Sequence, residues 1–200
     1  MKIIKHRVNT IAQLTKTPKQ YGLEIDIRSY NGELILQHEP MTPGDSLDEW
    51  LKVYEHGLLI LNVKEEGLES ELITTMASRK IDHYFFLDQS FPFLVKWANE
   101  AGRRSAVRVS EFESIDTALT LAGQIDWVWV DYFTRFPLGS EEARKLRGAG
   151  FRICLVSPEL QGHEAKEHIP DLISLLDINN IVPDAVCTKV PELWERAFEE

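Results

Sequence analysis

Four residues capable of acid–base or metal chemistry lie in the first forty positions of the chain, namely His6, Glu24, Asp26 and His38. Side chains two positions apart on a strand share a face, so Glu24 and Asp26 are predicted to place two carboxylates on one side. Such a pair is a candidate divalent-cation site, because hard cations prefer oxygen ligands. The histidines titrate near neutral pH and add an acid and a base. These residue types together suit chemistry on a phosphate.

The rest of the chain supplies elements that can position these groups. Short β-branched or aromatic runs alternate with segments of helical periodicity, which is typical of βα units and a parallel sheet. The predicted strands are 2–6, 22–28, 58–64, 83–88, 105–110, 127–132, 152–157 and 185–190, with 34–38 as a hairpin arm after an Asn31-Gly32 turn. The predicted helices are 10–16, 46–56, 68–80, 91–101, 115–122, 140–149, 163–176 and 191–198.

Eight strand–helix alternations favour a compact (β/α)₈ barrel of the TIM type, without a large insertion, in which residues 1–200 form one domain. Functional groups of such a barrel lie at the carboxyl ends of its strands. The polar residues near those predicted ends are His6, Glu24, Asp26, Asn62, Lys64, Asp88, Arg108, Ser110, Asp131 and Lys189. Their coincidence with the strand ends predicts one site at the mouth of the barrel.

Composition and charge narrow the class of protein. The chain has 22 basic and 32 acidic residues and a formal net charge of −10, which argues against binding nucleic acid or an anionic membrane through its overall field. No window approaches the length of a membrane span, and the first residues lack the apolar run of a signal peptide. Cys154 and Cys187 lie in apolar runs and are predicted to be buried free thiols. We therefore expect a cytoplasmic protein.

The order of these motifs resembles the glycerophosphodiester phosphodiesterase family. That family has a His-Arg pair, an Asn-Thr pair, Glu-x-Asp, a glycine turn leading to a second histidine, and Glu-x-Lys. The corresponding segments here are His6-Arg7, Asn9-Thr10, Glu24-Ile25-Asp26, Gly32 to His38 and Asn62-Val63-Lys64, with weaker matches at Ser46 to Glu49 and Thr188 to Pro191. The similarity spans the chain but is dense only in residues 6–64.

The resemblance implies metal-dependent hydrolysis of a small phosphodiester of the glycerophosphodiester type. It assigns His6 and His38 to acid–base catalysis. It makes Glu24 and Asp26 metal ligands, with Asn62 where the family has a third acid. Phosphate binding falls to Arg7 and Lys64, and Arg108 is a further candidate. Mg²⁺ is favoured because it keeps its waters and needs few protein ligands, and Ca²⁺ or Mn²⁺ are alternatives.

Other interpretations of individual residues stay open at this point. Glu24 and Asp26 could instead serve helix N-termini or form a salt bridge with Arg28 or Lys64. A single histidine at a strand end is often structural. Arg108 could face the barrel mouth or point outward. Asp131 is either an additional acid in the pocket or a helix cap.

An alternative function also follows from the departures from the family pattern. Asn62 lacks the charge of an acid, Val8 replaces a glycine, and the first loop is short. These changes indicate a degenerate barrel that binds an anionic, phosphorylated ligand or a partner protein without turnover. Fold alone does not decide between the two functions.

Overall fold

The computed structural model describes residues 1–98 and 100–199 and confirms the predicted alternation of strands and helices. Eight of its strands run parallel and alternate with helices, while a short antiparallel arm follows the second strand. The parallel strands are β1 Lys2–Lys5, β2 Gly22–Tyr30, β5 Leu59–Val63, β6 Tyr84–Leu87, β7 Ala106–Val109, β8 Trp127–Val130, β9 Arg152–Val156 and β10 Ala185–Thr188. The arm consists of β3 Glu33–Leu36 and β4 Asp45–Ser46.

The helices follow the predicted segments, although several are shorter. They are α1 Ile11–Lys16, α2 Leu47–Lys52, α3 Glu69–Ser78, α4 Phe91–Trp97, α5 Ile115–Leu119, α6 Ser140–Gly148, α7 Ala165–Ile178 and α8 Pro191–Glu199, with a 3₁₀ turn at Pro158–Gln161. The prediction of a helix over 46–56 was wrong beyond Lys52. There the Val53 N–H bonds to the carbonyl of Trp50, and the Tyr54 hydroxyl donates to the carbonyl of Gly57, which closes a turn instead.

The parallel strands form one curled sheet. β1 pairs with β2 and β10, β2 continues to β5 and β6, and β10 continues through β9 and β8 to β7. A single parallel bridge, between Phe86 and Ser105, joins β6 to the start of β7. The register sets Asp26 beside Asn62, so the acidic strand and its neighbour present polar residues side by side. The α/β class is confirmed, and the curl is consistent with a TIM-type barrel.

The concave side of the sheet is filled with apolar side chains. Phe85 and Trp127 lie on strands that are not neighbours, yet their rings stack with centroids 4.6 Å apart. Cys154 and Cys187 belong to the same buried cluster, as predicted, and burial raises the pKa of both thiols well above the usual value. This apolar core fills the interior of the curled sheet. Within the described ranges, no helix is long and apolar enough to cross a bilayer.

Candidate active site

The site is built around two acids on β2. Glu24 and Asp26 are both fully buried, at 0 % relative exposure. Glu24 Oε2 accepts a hydrogen bond from the Arg7 N–H at 2.7 Å, and Oε1 accepts one from Asn62 Nδ2 at 2.8 Å. Asp26 Oδ2 accepts a hydrogen bond from Asn9 Nδ2 at 2.8 Å. The two buried carboxylates are therefore held by residues of the first loop and of β5.

The second oxygen of Asp26 faces two further groups from different parts of the chain. His38 Nδ1 and Lys64 Nζ each lie 3.3 Å from Asp26 Oδ1. The hairpin arm β3, which pairs with β2, ends two residues before His38, and Lys64 follows β5 directly. The pairing of β2 with both neighbours thus brings the second histidine and the lysine to one carboxylate.

His6 lies on the Glu24 side of the acid pair. Its Nε2 is 3.7 Å from Glu24 Oε2, and its Nδ1 is buried without a hydrogen-bond partner among the described residues. Burial, together with the charge of the Arg7 guanidinium, lowers the pKa of His6 to about 4. The imidazole is therefore neutral near pH 7 and has a lone pair available for a proton.

Arg7 connects the two halves of the site. Its φ of 57° lies in the left-handed region, a conformation that costs a non-glycine residue about 1 kcal/mol or more. In this conformation the Arg7 N–H bonds to Glu24, Nε lies 3.2 Å from Asp26 Oδ2, and Nη2 lies 3.3 Å from His38 Nε2. One residue thereby contacts both acids and the second histidine, and its own side chain is 42 % exposed at the mouth.

The carboxylates of the pair differ in their electrostatics. Burial, together with the charge of Asp26, raises the pKa of Glu24 to about 7. Burial acts in the same direction on Asp26, but the Asn9 hydrogen bond and the charge of Lys64 outweigh it and lower the pKa of Asp26. Asp26 is therefore the more fully ionised of the two acids near neutral pH.

A second group of charged residues adjoins this centre. Lys64 Nζ also lies 3.2 Å from Asp88 Oδ2, and Asp88 forms an ion pair with Arg108. Arg108 Nη1 lies 2.8 Å from Asp131 Oδ2, and Gln161 Nε2 donates to Asp131 Oδ1 at 2.6 Å. Arg108 therefore faces this polar network rather than pointing away from it, and the ion pairs run continuously from β2 to β8.

Sequence reasoning missed two members of this arrangement, Asn9 and Gln161, and placed Asp88 at the barrel mouth without giving it a role. Asn9 belonged to a recognised Asn-Thr pair but was not assigned to the site. Gln161 lies in the 3₁₀ turn after β9, where the sequence carries no signal for it. The structure brings His6, Arg7, Glu24, Asp26, His38, Asn62 and Lys64 into one cluster and links Arg108 to it through Asp88.

The donor set around the acids does not fit the divalent cation that the resemblance implies. Both oxygens of Glu24 and both oxygens of Asp26 face protein donors, and two of those donors, Arg7 and Lys64, are themselves cations. Asn62 turns its amide nitrogen to Glu24, which leaves its Oδ1 as a buried, neutral oxygen without a partner in the described part of the chain. Within that part, no cluster of three His, Cys, Asp or Glu residues is arranged to hold a metal.

Comparison with known proteins gives matches at the level of structure. No family model matches the sequence, and no curated protein matches it. The crystal structure of a protein named as a glycerophosphoryl diester phosphodiesterase from Agrobacterium tumefaciens str. C58 aligns with a TM-score of 0.72 at 14 % identity, over 100 % of this chain and 98 % of the other. The chain has the fold of these phosphodiesterases.

Two further phosphodiesterase structures support the same assignment of fold. A glycerophosphodiester phosphodiesterase from A. tumefaciens str. C58 aligns with a TM-score of 0.70 at 14 % identity, over 98 % of this chain and 99 % of the other. A glycerophosphoryl diester phosphodiesterase from Parabacteroides distasonis ATCC 8503 aligns with a TM-score of 0.64 at 12 % identity, over 99 % of this chain and 86 % of the other. The full coverage shows that the shared fold includes the strands that carry the acid pair.

Proposed function

We propose that this chain is a phosphoric diester hydrolase that acts on a small diester of the glycerophosphodiester type, with His6 and His38 as its acid–base pair. The observation that carries the proposal is that two histidines from separate segments flank one buried acid pair, His6 beside Glu24 and His38 beside Asp26. This cluster lies in a fold shared with glycerophosphodiester phosphodiesterases. The family resemblance of residues 6–64 points to the same chemistry.

In the proposed first step, a substrate hydroxyl next to the phosphate attacks phosphorus while the bond from phosphorus to the leaving alcohol oxygen breaks. His6 accepts the proton of the attacking hydroxyl, since its imidazole is neutral and an anionic substrate nearby favours its protonation. His38 donates a proton from Nε2 to the leaving alkoxide once the substrate phosphate takes up the Arg7 guanidinium that faces this nitrogen, and Asp26 at Nδ1 orients the ring. Water then opens the cyclic phosphate with the two roles exchanged.

Arg7 and Lys64 are proposed to bind the non-bridging oxygens of the phosphate. The Arg7 guanidinium lies between Asp26 and His38 and is partly exposed, so it can meet a substrate without leaving the acid. Guanidinium groups bind phosphate in a bidentate manner, and lysine supplies a point charge. Arg108 stays a predicted phosphate contact. It would bind the phosphate through the same guanidinium that contacts Asp88 and Asp131.

The expected metal, Mg²⁺ or alternatively Ca²⁺ or Mn²⁺, is not part of this mechanism because the oxygens of Glu24 and Asp26 face protein donors. The acids instead hold the cationic and imidazole side chains in place. Asp26 is the more important of the two in this respect, since it contacts Arg7, His38 and Lys64 together.

We also propose that the eight parallel strands close into a full barrel. The support is the bridge between Phe86 and Ser105 and the hydrogen bond of 2.8 Å from the Phe86 N–H to the carbonyl of Arg104. Closure would fix Asp88, which follows β6, relative to Arg108 on β7. Slow hydrogen exchange of the Phe86 amide, comparable with that of central β2 amides, is the expected result.

The function is tested by incubating the purified chain with glycerophosphodiesters, lysophospholipids and cyclic phosphates and following products by ³¹P NMR. We expect at least one diester to yield a phosphomonoester. The Asp26→Asn variant should lower kcat/KM at least about 100-fold, since His38, Arg7 and Lys64 each lose the carboxylate that holds them in position. The exposed Glu33 provides a matched control, and Glu33→Gln should leave the rate unchanged.

Absence of turnover over the whole panel, with and without added Mg²⁺, Mn²⁺ or Ca²⁺, would contradict the proposed hydrolysis. In that case, calorimetric titration with inorganic phosphate tests the alternative function. Phosphate binding that is lost in Lys64→Met would support a barrel that binds an anionic ligand without turning it over.

A further inference from the structure

Asp26 already faces two cations of the protein, Arg7 and Lys64, and Lys64 also contacts Asp88. Glu24 is held by neutral donors, the Arg7 backbone N–H and the amide of Asn62. Arg7 Nε lies 3.2 Å from one oxygen of Asp26, and Lys64 Nζ lies 3.3 Å from the other. A divalent cation bound to Asp26 would lie against both of these cationic side chains. Its binding would therefore be opposed by like charges at short range.

We propose that Arg7 and Lys64 supply the positive charge that the family resemblance assigns to a divalent cation, so that this chain hydrolyses its diester without a metal. The inference rests on the proposed function and specifies how the phosphate charge is neutralised. A phosphodiester has one negative charge, and two fixed cations suffice to bind it and to stabilise the charge that develops on its oxygens.

The geometry of Arg7 suits this role. Its left-handed backbone directs the N–H to Glu24 and allows the side chain to lie along Asp26 toward His38. Both the backbone and the side chain of Arg7 are thus fixed before substrate binds. Fixed donors avoid the reorganisation cost that a flexible arginine would pay, which is the basis of electrostatic stabilisation in enzymes.

Lys64 is fixed in a similar way from the other side. Its ammonium lies between Asp26 Oδ1 and Asp88 Oδ2, and its side chain is only 15 % exposed. The amide of Asn62, which lies on β5 two residues before Lys64, donates to Glu24. A third acid at that position would instead present a carboxylate to Glu24, and a cation between them or a shared proton would be needed to relieve the repulsion. Asn62 removes that requirement.

The first test measures hydrolysis after exhaustive treatment with EDTA and then with Mg²⁺, Mn²⁺ or Ca²⁺ added back. We expect the rates in all conditions to agree within about twofold. A metal that stabilised the transition state by about 1.4 kcal/mol would instead change the rate tenfold. Loss of activity in EDTA that a metal restores would overturn the inference while leaving the proposed function intact. Absence of turnover in every condition would instead contradict the proposed function.

Calorimetry tests the inference independently of activity. Titration of the wild-type chain with Mn²⁺ or Mg²⁺ should give no saturable binding in the micromolar range. Micromolar binding that is abolished by Glu24→Gln would overturn the inference, whether or not any diester is hydrolysed.

A substitution at Asn62 provides a positive control for the titration. Asn62→Asp adds a third carboxylate and should raise Mn²⁺ affinity at least about 10-fold over the wild type, whereas the neutral Asn62→Ser should not. Thermal melts establish that both variants are folded before titration. Equal and tight Mn²⁺ binding by the wild type and Asn62→Asp would overturn the inference, because the wild-type site would then need no third acid.

Discussion

Asn9 and Asp26 are joined by two reciprocal hydrogen bonds. Asn9 Nδ2 donates to Asp26 Oδ2 at 2.8 Å, and the Asp26 backbone N–H donates to Asn9 Oδ1 at 2.9 Å. The pair ties the first loop to the middle of β2 and fixes the carboxylate that contacts Arg7, His38 and Lys64. The asparagine that sequence reasoning left unassigned therefore sets the orientation of the central acid.

Replacement of Asn9 should weaken both stability and activity. Asn9→Ala removes the acceptor of a part-buried backbone N–H and a donor to a buried carboxylate, which costs roughly 1–3 kcal/mol. We expect a lower free energy of unfolding in urea and a kcat at least about 10-fold lower. Gln20→Ala, at an exposed position, should change neither quantity. Unchanged stability and rate in Asn9→Ala would show that this pair does not organise the site.

Asp88 contacts both Lys64 and Arg108, so under the proposed function it would compete with substrate for these two cations. Its φ of 60° is a conformation that asparagine tolerates, so Asp88→Asn removes the charge and keeps the backbone. We expect this variant to bind inorganic phosphate roughly 3–10-fold more tightly, because loss of one nearby negative charge is worth on the order of 1 kcal/mol.

The effect of Asp88→Asn is measured as the inhibition constant of phosphate at low and high salt, and its advantage over the wild type should shrink at high salt. Asp82→Asn is the matched control, since Asp82 is 76 % exposed and pairs with Arg104. Weaker phosphate binding in Asp88→Asn would indicate that the carboxylate positions the two cations rather than competing for them.

The stability of the chain should depend on the titration of Asp131. Burial raises the pKa of Asp131 to about 6, although Arg108 opposes the shift. The folded state therefore keeps this proton to a higher pH than the unfolded chain, where the pKa is the ordinary 3.8. The contribution to stability is largest at low pH and is lost as pH rises through 4 to 6, by roughly 3 kcal/mol at most.

Asp131→Asn lacks this titration, so its stability relative to the wild type should increase as pH rises from about 4 to about 7. Urea unfolding of both proteins at the two pH values gives the difference. A difference in unfolding free energy that is the same at both pH values would contradict the raised pKa of this carboxyl.

Much of the fold was predictable because it depends on local patterns. Strand 22–28 and the Asn31-Gly32 turn are read from alternation and turn chemistry, and Asn31 and Gly32 do adopt positive φ values of 53° and 83°. The convergence of Glu24, Asp26 and Lys64 was predictable because parallel strands end at one edge. The one-domain organisation, the cytoplasmic location and the absence of a nucleic-acid partner stay predictions.

What the sequence could not provide is the pairing of charges across the site. The left-handed backbone of Arg7 depends on its contacts with Glu24 and Asp26 and has no local signal. Gln161 reaches Asp131 from a turn that is distant in sequence. Such contacts follow from tertiary geometry. The sequence therefore predicts metal ligands at Glu24 and Asp26 but does not show which protein donors face their oxygens.

The central claim is that His6 and His38 transfer protons at one phosphate, and initial rates of diester hydrolysis by single histidine variants test it most directly. The account predicts that His6→Ala and His38→Ala each lower kcat about 100-fold or more, while His83→Ala, at an exposed position, retains the wild-type rate. Wild-type rates in either His6→Ala or His38→Ala would contradict it.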